Sequence, residues 1–489
     1  MNMTGKTILG VLAAALLTCC ATDRDKVFSI KGNAEYSIPV DTVSVLRNPC
    51  CGWGLYDDAD GEVAEAESYW KALDPYVPYA SFFYVRWRWS DMEPEEGRYA
   101  WLYDENYHRL IDGAVKRGLR LAFRIYFNGK DNIRQSTPEY VRKAGAKGRV
   151  VGDHWTPYID DPVFREKLAK FTAAFAAEYD NPDIVDFVDG VNAGWWGECH
   201  HLTISESGDL DEALGWFTDL YGGLFKRVPL VMPVCSGFGF DSEMRIAVAR
   251  NGYAFRRDGL GSCWFTDEEK ANVASLYPKK TLLIGEACYW KGDESDSLSF
   301  DDPKYHFRNW RQVLEMTYKD AIDYHFNTLD LRRPLEAARW LSKAPDLVQA
   351  FVSNGGYRLC PATVSLPVKV RSGSTVCVGH RWKNLASGIF PNSNSRWNGK
   401  YKVAFALLDE DGTLVREFVD KQSDPGLFVK GKDVDYMLNI TLDGIAPGNF
   451  TWAVAIVDTS EGDRPGIRLS VDSESVDGWA KLGKVKIIP

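Results

Sequence analysis

Histidine is scarce in this chain, with 7 in 489 residues, and the 10 cysteines form neither a C-x-x-C pair nor a Cys/His cluster at ligand spacing. Both shortages argue against a structural zinc site; His200 and His201 beside Cys199 are too local to make one. Excess positive charge is missing as well. A formal net charge of −10 disfavours nucleic acid or an anionic membrane surface as the main partner. There is no internal repeat, no low-complexity tract, and no Gly-rich phosphate loop after the first strand-like run. The apolar run from Ile8 to Leu17 is too short to cross a bilayer.

That run reads instead as the core of a signal peptide, with Lys6 before it and Leu16-Leu-Thr-Cys19-Cys20 closing it. The ending resembles a bacterial lipoprotein signal, in which Cys19 or Cys20 becomes the lipidated N-terminus. Ordinary secretion with cleavage near Ala21 is the alternative. Export is expected either way, to the periplasm or the cell surface. Residues 1–20 are assigned to the signal and 21–47 to an N-terminal tether. The other cysteines, from Cys50 to Cys377, read as small hydrophobes near strand ends.

Aromatic side chains are plentiful: 17 Trp and 23 Tyr. Such rings offer an apolar face and a polar edge, which suits the axial C–H patches of sugars, although a large core buries many of them anyway. From residue 48 to 345 short apolar runs alternate with amphipathic stretches. The strand-like runs lie at 50–55, 82–87, 120–126, 184–191, 230–234, 253–256, 281–287 and 324–328. Helical stretches fall between them, at 104–117, 162–179, 211–226 and 268–276 among others. Eight strands with interleaved helices predict an α/β fold, a (β/α)8 TIM barrel, with a doubly wound open sheet as the alternative. Residues 346–489 change texture to short alternating runs separated by turn signals such as Asp411-Gly412 and Pro447-Gly448. That predicts an antiparallel β-sandwich, with Trp382 and Trp397 as its conspicuous ligand-platform candidates.

Two glutamates stand out. Glu198 follows the fourth strand in Gly194-Trp-Trp-Gly-Glu198-Cys-His200, and Glu286 ends the seventh in Leu283-Ile-Gly-Glu286-Ala. Barrel enzymes carry their functional groups where strands end, and a carboxylate pair in an aromatic cleft suits glycosidic bond hydrolysis. The plainer reading makes each a structural ion-pair member. Other strand-end candidates for substrate contact are Arg86, Arg124, Asn192, Trp196, His200, Asp258, Trp264, Trp290, His325 and Asn327, with Trp53 and Trp87 as further possible platforms.

The strand-4 and strand-7 spacing resembles the retaining glycoside hydrolases of the large (β/α)8 clan, which includes β-galactosidases, β-mannosidases, cellulases and β-1,3-glucanases. The stretch Trp89-Ser-Asp-Met-Glu93-Pro-Glu-Glu-Gly97-Arg-Tyr99 is similar to that clan's strand-2 segment. More closely, the chain resembles exported bacterial proteins that join such a barrel to a sandwich. They carry Gly-x-Trp-Gly-Glu-x-His after strand 4, Gly-Glu on strand 7 and a Gly-Tyr-Arg entry to the sandwich, matched here by Gly194–His200, Gly285-Glu286 and Gly356-Tyr357-Arg358. The resemblance implies Glu286 as nucleophile, with Arg86 or Arg124 beside it, and Glu198 as acid/base. It further implies double displacement on an oligo- or polysaccharide by a monomer needing neither metal nor organic cofactor. The clan's usual Asn before the acid/base glutamate is replaced by Gly197, and Asn192 is the nearest Asn. A carbohydrate-binding lipoprotein that has lost catalysis is the second expectation.

Overall fold

The computed structural model of the chain describes residues 27–57, 63–129 and 134–489. Cys19, Cys20 and the signal segment lie outside them. Eight parallel strands close into a barrel: β1 (Gly52–Asp57), β2 (Ala80–Arg88), β3 (Arg120–Tyr126), β4 (Val185–Asp189), β5 (Leu230–Pro233), β6 (Ala254–Leu260), β7 (Leu283–Ala287) and β8 (Thr328–Arg332). Each strand pairs with its neighbours in sequence, and β8 pairs with β1. Closure rules out the doubly wound sheet.

The period-2 alternation of the strands sorts their side chains. Phe83, Val85 and Trp87 of β2 join the layer shared with the surrounding helices, whereas Phe82 and Tyr84 pack in the lumen with Phe187 of β4. Moving up β2 the inward positions read Phe82, Tyr84, Arg86, so the lumen passes from hydrocarbon to guanidinium over one strand.

A β-sandwich follows. One sheet has the order Asn33–Tyr36, Leu359–Pro367, Thr375–Asn384, Val434–Thr441; the other is built around Trp479–Ile488, Gly448–Asp458 and Tyr401–Leu408. Residues 33–36, in the stretch expected as a tether, thus supply an edge strand. The sandwich is fused to the barrel floor. Phe82, Ala122, Phe187, Val231 and Ile284 of the lumen share one apolar cluster with Tyr357, Phe390, Trp397 and Tyr401. The Gly356-Tyr357-Arg358 segment makes the joint. A Cβ on Gly356 would meet Cys51 Sγ at 2.3 Å, Tyr357 Oη donates to Pro49 O at 2.7 Å, and Arg358 donates to Asp41, Ser44 and Val352 carbonyls. Trp382 and Trp397 are buried in this core, Trp382 stacked on Phe428, so neither is a ligand platform. All eight cysteines among the described residues are free thiols.

The eighth strand begins four residues later than the sequence suggests. The stretch 324–327, Tyr-His-Phe-Asn, is the turn that leads into it, and the strand itself, Thr-Leu-Asp-Leu-Arg, hides behind two inward charges. His325 and Asn327 therefore sit at the floor, away from any substrate. His325 stacks on Tyr277 and bonds Ser387 O, while Asn327 ties Cys50 O to the backbone of Ile389.

Candidate active site

Glu286 lies near the top of β7, where the pairing with β6 shifts register between Gly285 and Ala287. A bulge of this kind re-aims a side chain. Its carboxylate accepts three guanidinium bonds: Arg86 Nη1 to Oε1 at 2.6 Å, Arg332 Nη2 to Oε1 at 3.1 Å, and Arg124 Nη2 to Oε2 at 3.2 Å. Glu198 arrives from the loop after β4. Its Oε1 accepts from Arg124 Nη1 at 2.9 Å and from Arg86 Nη2 at 3.2 Å. Each of two arginines therefore bonds both glutamates.

The Glu198 loop is a tightly wound piece of backbone. Gly194, Trp196, Gly197, Cys199 and His201 all have φ between 49° and 69°. The turn is closed by Trp195 N–H to His200 O and Glu198 N–H to Trp195 O, each 2.8 Å. Left-handed residues at this density mark a loop held in shape by its surroundings. Gly197 cannot carry a side chain: at φ 69°, a Cβ would stand 2.8 Å from Tyr126 Cβ and 3.3 Å from Arg124 Cδ. That is the physical reason no Asn precedes this glutamate. Gly197→Ala is expected to cost about 1–3 kcal/mol, read as a lower denaturant midpoint; an unchanged midpoint refutes the account.

The shell below is charged and paired. Arg124 Nε donates to Tyr84 Oη at 3.0 Å, and its guanidinium also pairs with Asp189 at 3.2 Å. Arg256 binds Asp189 Oδ2 at 2.5 Å and the Gly197 carbonyl at 3.2 Å. Asp330 accepts from Arg332 Nε at 2.9 Å and from Ala287 N–H at 2.6 Å. The Tyr56 ring lies 5.6 Å from both the Arg86 and the Arg332 guanidinium carbons. Asp189, Arg256, Asp330, Arg332, Tyr56 and Tyr84 were not anticipated from the sequence. Their signal was a charge at every second position of otherwise apolar strands, as in Asp330 and Arg332.

Of the anticipated contacts, Arg86, Arg124, His200 and Asp258 converge on the pair. Trp264 and Trp290 lie at the rim, 67% and 38% exposed, with Trp290 over Arg333 at 4.5 Å. Trp196 packs edge-on against Trp195, whose ring also meets His201. Asn192 points away from the site: its amide holds Asp189 O at 2.9 Å and Tyr221 Oη at 3.3 Å, closing the turn after β4. Trp53 and Trp87 are core, Trp53 between Trp340 and Phe351 and Trp87 on Asp57.

The two carboxyls are pushed in opposite directions. Burial raises that of Glu198, the Asp258 carboxylate adds to it, and it comes to about 7 against an ordinary 4.5. Burial acts the same way on Glu286, but Arg86, Arg124 and Arg332 outweigh it and hold the carboxyl at about 2. A neutral acid and an ionised carboxylate side by side is the division of labour that acid-assisted displacement requires. Glu198, His200 and Asp258 also bring ligand-type atoms within 4.8 Å of one another. Four guanidiniums surround that point, those of Arg86, Arg124, Arg256 and Arg257, and make a divalent cation costly there. Two surface hollows of about 560 and 570 Å³ lie elsewhere, one at the floor beside residues 393–396 and one along residues 305–319. Neither contains a facing carboxylate pair.

No protein-family model and no curated protein matches the sequence. Among solved structures, the chain is similar to endo-glycoceramidase II from Rhodococcus sp., seen as its lactosyl-enzyme intermediate, with TM-score 0.42 and 13% identity over 81% of this chain and 99% of that one. A glycoside hydrolase family 5 enzyme from Prevotella bryantii in complex with a xyloglucan tetradecasaccharide gives 0.40 and 13% over 65% and 99%. An exo-β-1,4-mannosidase from an Opitutaceae bacterium gives 0.37 and 15% over 63% and 56%. The barrel assignment rests on the chain's own strand order.

Proposed function

We propose that the chain is a glycoside hydrolase that cleaves a glycosidic bond of an oligo- or polysaccharide with retention of configuration. The observation that carries this reading is that Arg86 and Arg124 each bond both Glu198 and Glu286, with burial raising the first carboxyl and the guanidiniums lowering the second. Sharing two guanidiniums sets the carboxyls side by side across one small pocket, and a pair about 5–5.5 Å apart works by retention where one about 6.5–9.5 Å apart inverts. Glu286 attacks the anomeric carbon while Glu198 protonates the departing oxygen. Glu198 then takes a proton from water, and Glu286 leaves. Trp264 and Trp290 at the rim supply apolar faces for the sugar.

The test is hydrolysis of a panel of aryl glycosides, with the anomer first formed followed by proton NMR. The expected product keeps the substrate configuration; an inverted product removes the double displacement. We also propose export with a lipid anchor at Cys19 or Cys20, supported by the apolar run before them. Full-length protein made in a bacterial host is then expected in the detergent phase, and recovery in the aqueous phase argues for plain secretion.

A further inference from the structure

We propose that His200, beside the Asp258 carboxylate, positions the leaving-group side of the reaction: it receives the departing alcohol, and later the hydrolytic water, against Oε2 of Glu198. The inference rests on the hydrolase reading and deepens it by assigning the side of Glu198 that faces away from Glu286.

The argument starts from the two oxygens of Glu198. Oε1 accepts two charge-assisted bonds, from Arg124 and Arg86. An oxygen engaged by two guanidinium N–H groups takes the carbonyl role in the protonated acid, because it has no lone pair to spare for the proton. The transferable proton therefore sits on Oε2. Oε2 lies 4.0 Å from His200 Nε2, and the same nitrogen lies 3.8 Å from Asp258 Oδ2. Both separations are too long for direct hydrogen bonds. The gap between Oε2 and Nε2 fits one bridging oxygen, bonded to both at about 2.8 Å.

The gap opens outward, since the His200 side chain is 38% exposed against 8% for that of Glu198. The surroundings hold it in place. Asp258 Oδ1 accepts from Arg257 Nη1 at 2.8 Å, and Arg257 is itself fixed by Glu269 and the Trp264 carbonyl. The groups facing the imidazole are Glu198 on its own loop and Asp258 and Arg257 on β6. The nearby Asp258 carboxylate, and with it Glu198, raises the imidazole's affinity for a proton, with burial and Arg257 opposing. With a proton on Nε2, the ring presents an N–H to the bridging oxygen.

In the first half-reaction the proton on Oε2 passes to that oxygen as its bond to the anomeric carbon breaks, the electron pair remaining on the oxygen. Glu286 forms the new bond to carbon, and His200 keeps its own proton. In the second half a water in the same place gives a proton to Oε2 and its oxygen to the anomeric carbon, and Glu286 departs with its electron pair.

The experiment uses the full chain with His200→Ala, His200→Gln and Asp258→Asn on a dinitrophenyl glycoside and on an alkyl or saccharide aglycone of the same sugar. His200→Ala is expected to slow the alkyl or saccharide substrate about 10²-fold and the dinitrophenyl substrate less than about tenfold. His200→Gln, which restores an N–H at the same reach, regains most of the loss, and Asp258→Asn falls between them. Equal losses on both substrates, or no rescue by Gln, overturn the positioning role while leaving the hydrolase intact. Wild-type protein inactive on every glycoside overturns both together.

Discussion

Glu286→Gln is expected to lower hydrolysis of every substrate, activated or not, by at least about 10⁴-fold. The amide is nearly the size of the carboxylate but has no charge to give to an oxocarbenium-like centre and forms no glycosyl ester. The leaving group makes no difference, because both half-reactions pass through this one oxygen pair. The variant also leaves Arg86, Arg124 and Arg332 facing a neutral amide, which uncovers buried positive charge. Circular dichroism and a melting curve must therefore accompany the kinetics. A folded variant that retains activity would remove Glu286 as nucleophile.

The second large effect belongs to Glu198 and shows in the pH profile. Hydrolysis needs Glu198 protonated and Glu286 ionised, so kcat/KM is expected to be broad on the acid side and to fall about tenfold per unit above about 7. Glu198→Gln should lose about 10²–10⁴-fold on alkyl aglycones and erase that alkaline limb on a dinitrophenyl glycoside. A limb that stays at the same pH in the variant reports another group. Stability follows the same linkage with signs fixed by the shifts. The raised Glu198 makes the native state hold a proton that the unfolded chain has released, so stability declines as pH rises from the ordinary 4.5 through about 7. The depressed Glu286 works oppositely: its contribution is present above 4.5 and is lost as pH falls towards about 2.

Much of this was legible in the sequence, for identifiable reasons. Seven barrel strands announce themselves as apolar runs separated by helical stretches, and the glycine-rich setting of Glu198 and Glu286 sets them apart from surface acids. Arg86 and Arg124 were legible because they interrupt such runs near the top. What stayed hidden shares one cause. Inside a barrel mouth, charge partners charge across strands far apart in sequence, so Asp189, Arg256, Asp330 and Arg332 look in isolation like the exposed half of a surface strand. The same disguise moved strand 8 four residues too early and carried His325 and Asn327 to the wrong end. Asn192 misled for a different reason, since proximity along the chain to Glu198 says nothing about direction once the backbone turns after Asp189. Trp382 and Trp397 misled because a ring that fits a sugar face also fits a core.

The fused floor has a consequence for how such a chain can diversify. Lumen, N-terminal segment and sandwich share one packed body below the carboxylates, so an insertion between a helix and the next strand would have to reshape all three at once. Insertions after strands 1 to 8 meet no such constraint. Descendants of this scaffold are free to acquire new saccharide preferences at the mouth while inheriting the foundation unaltered.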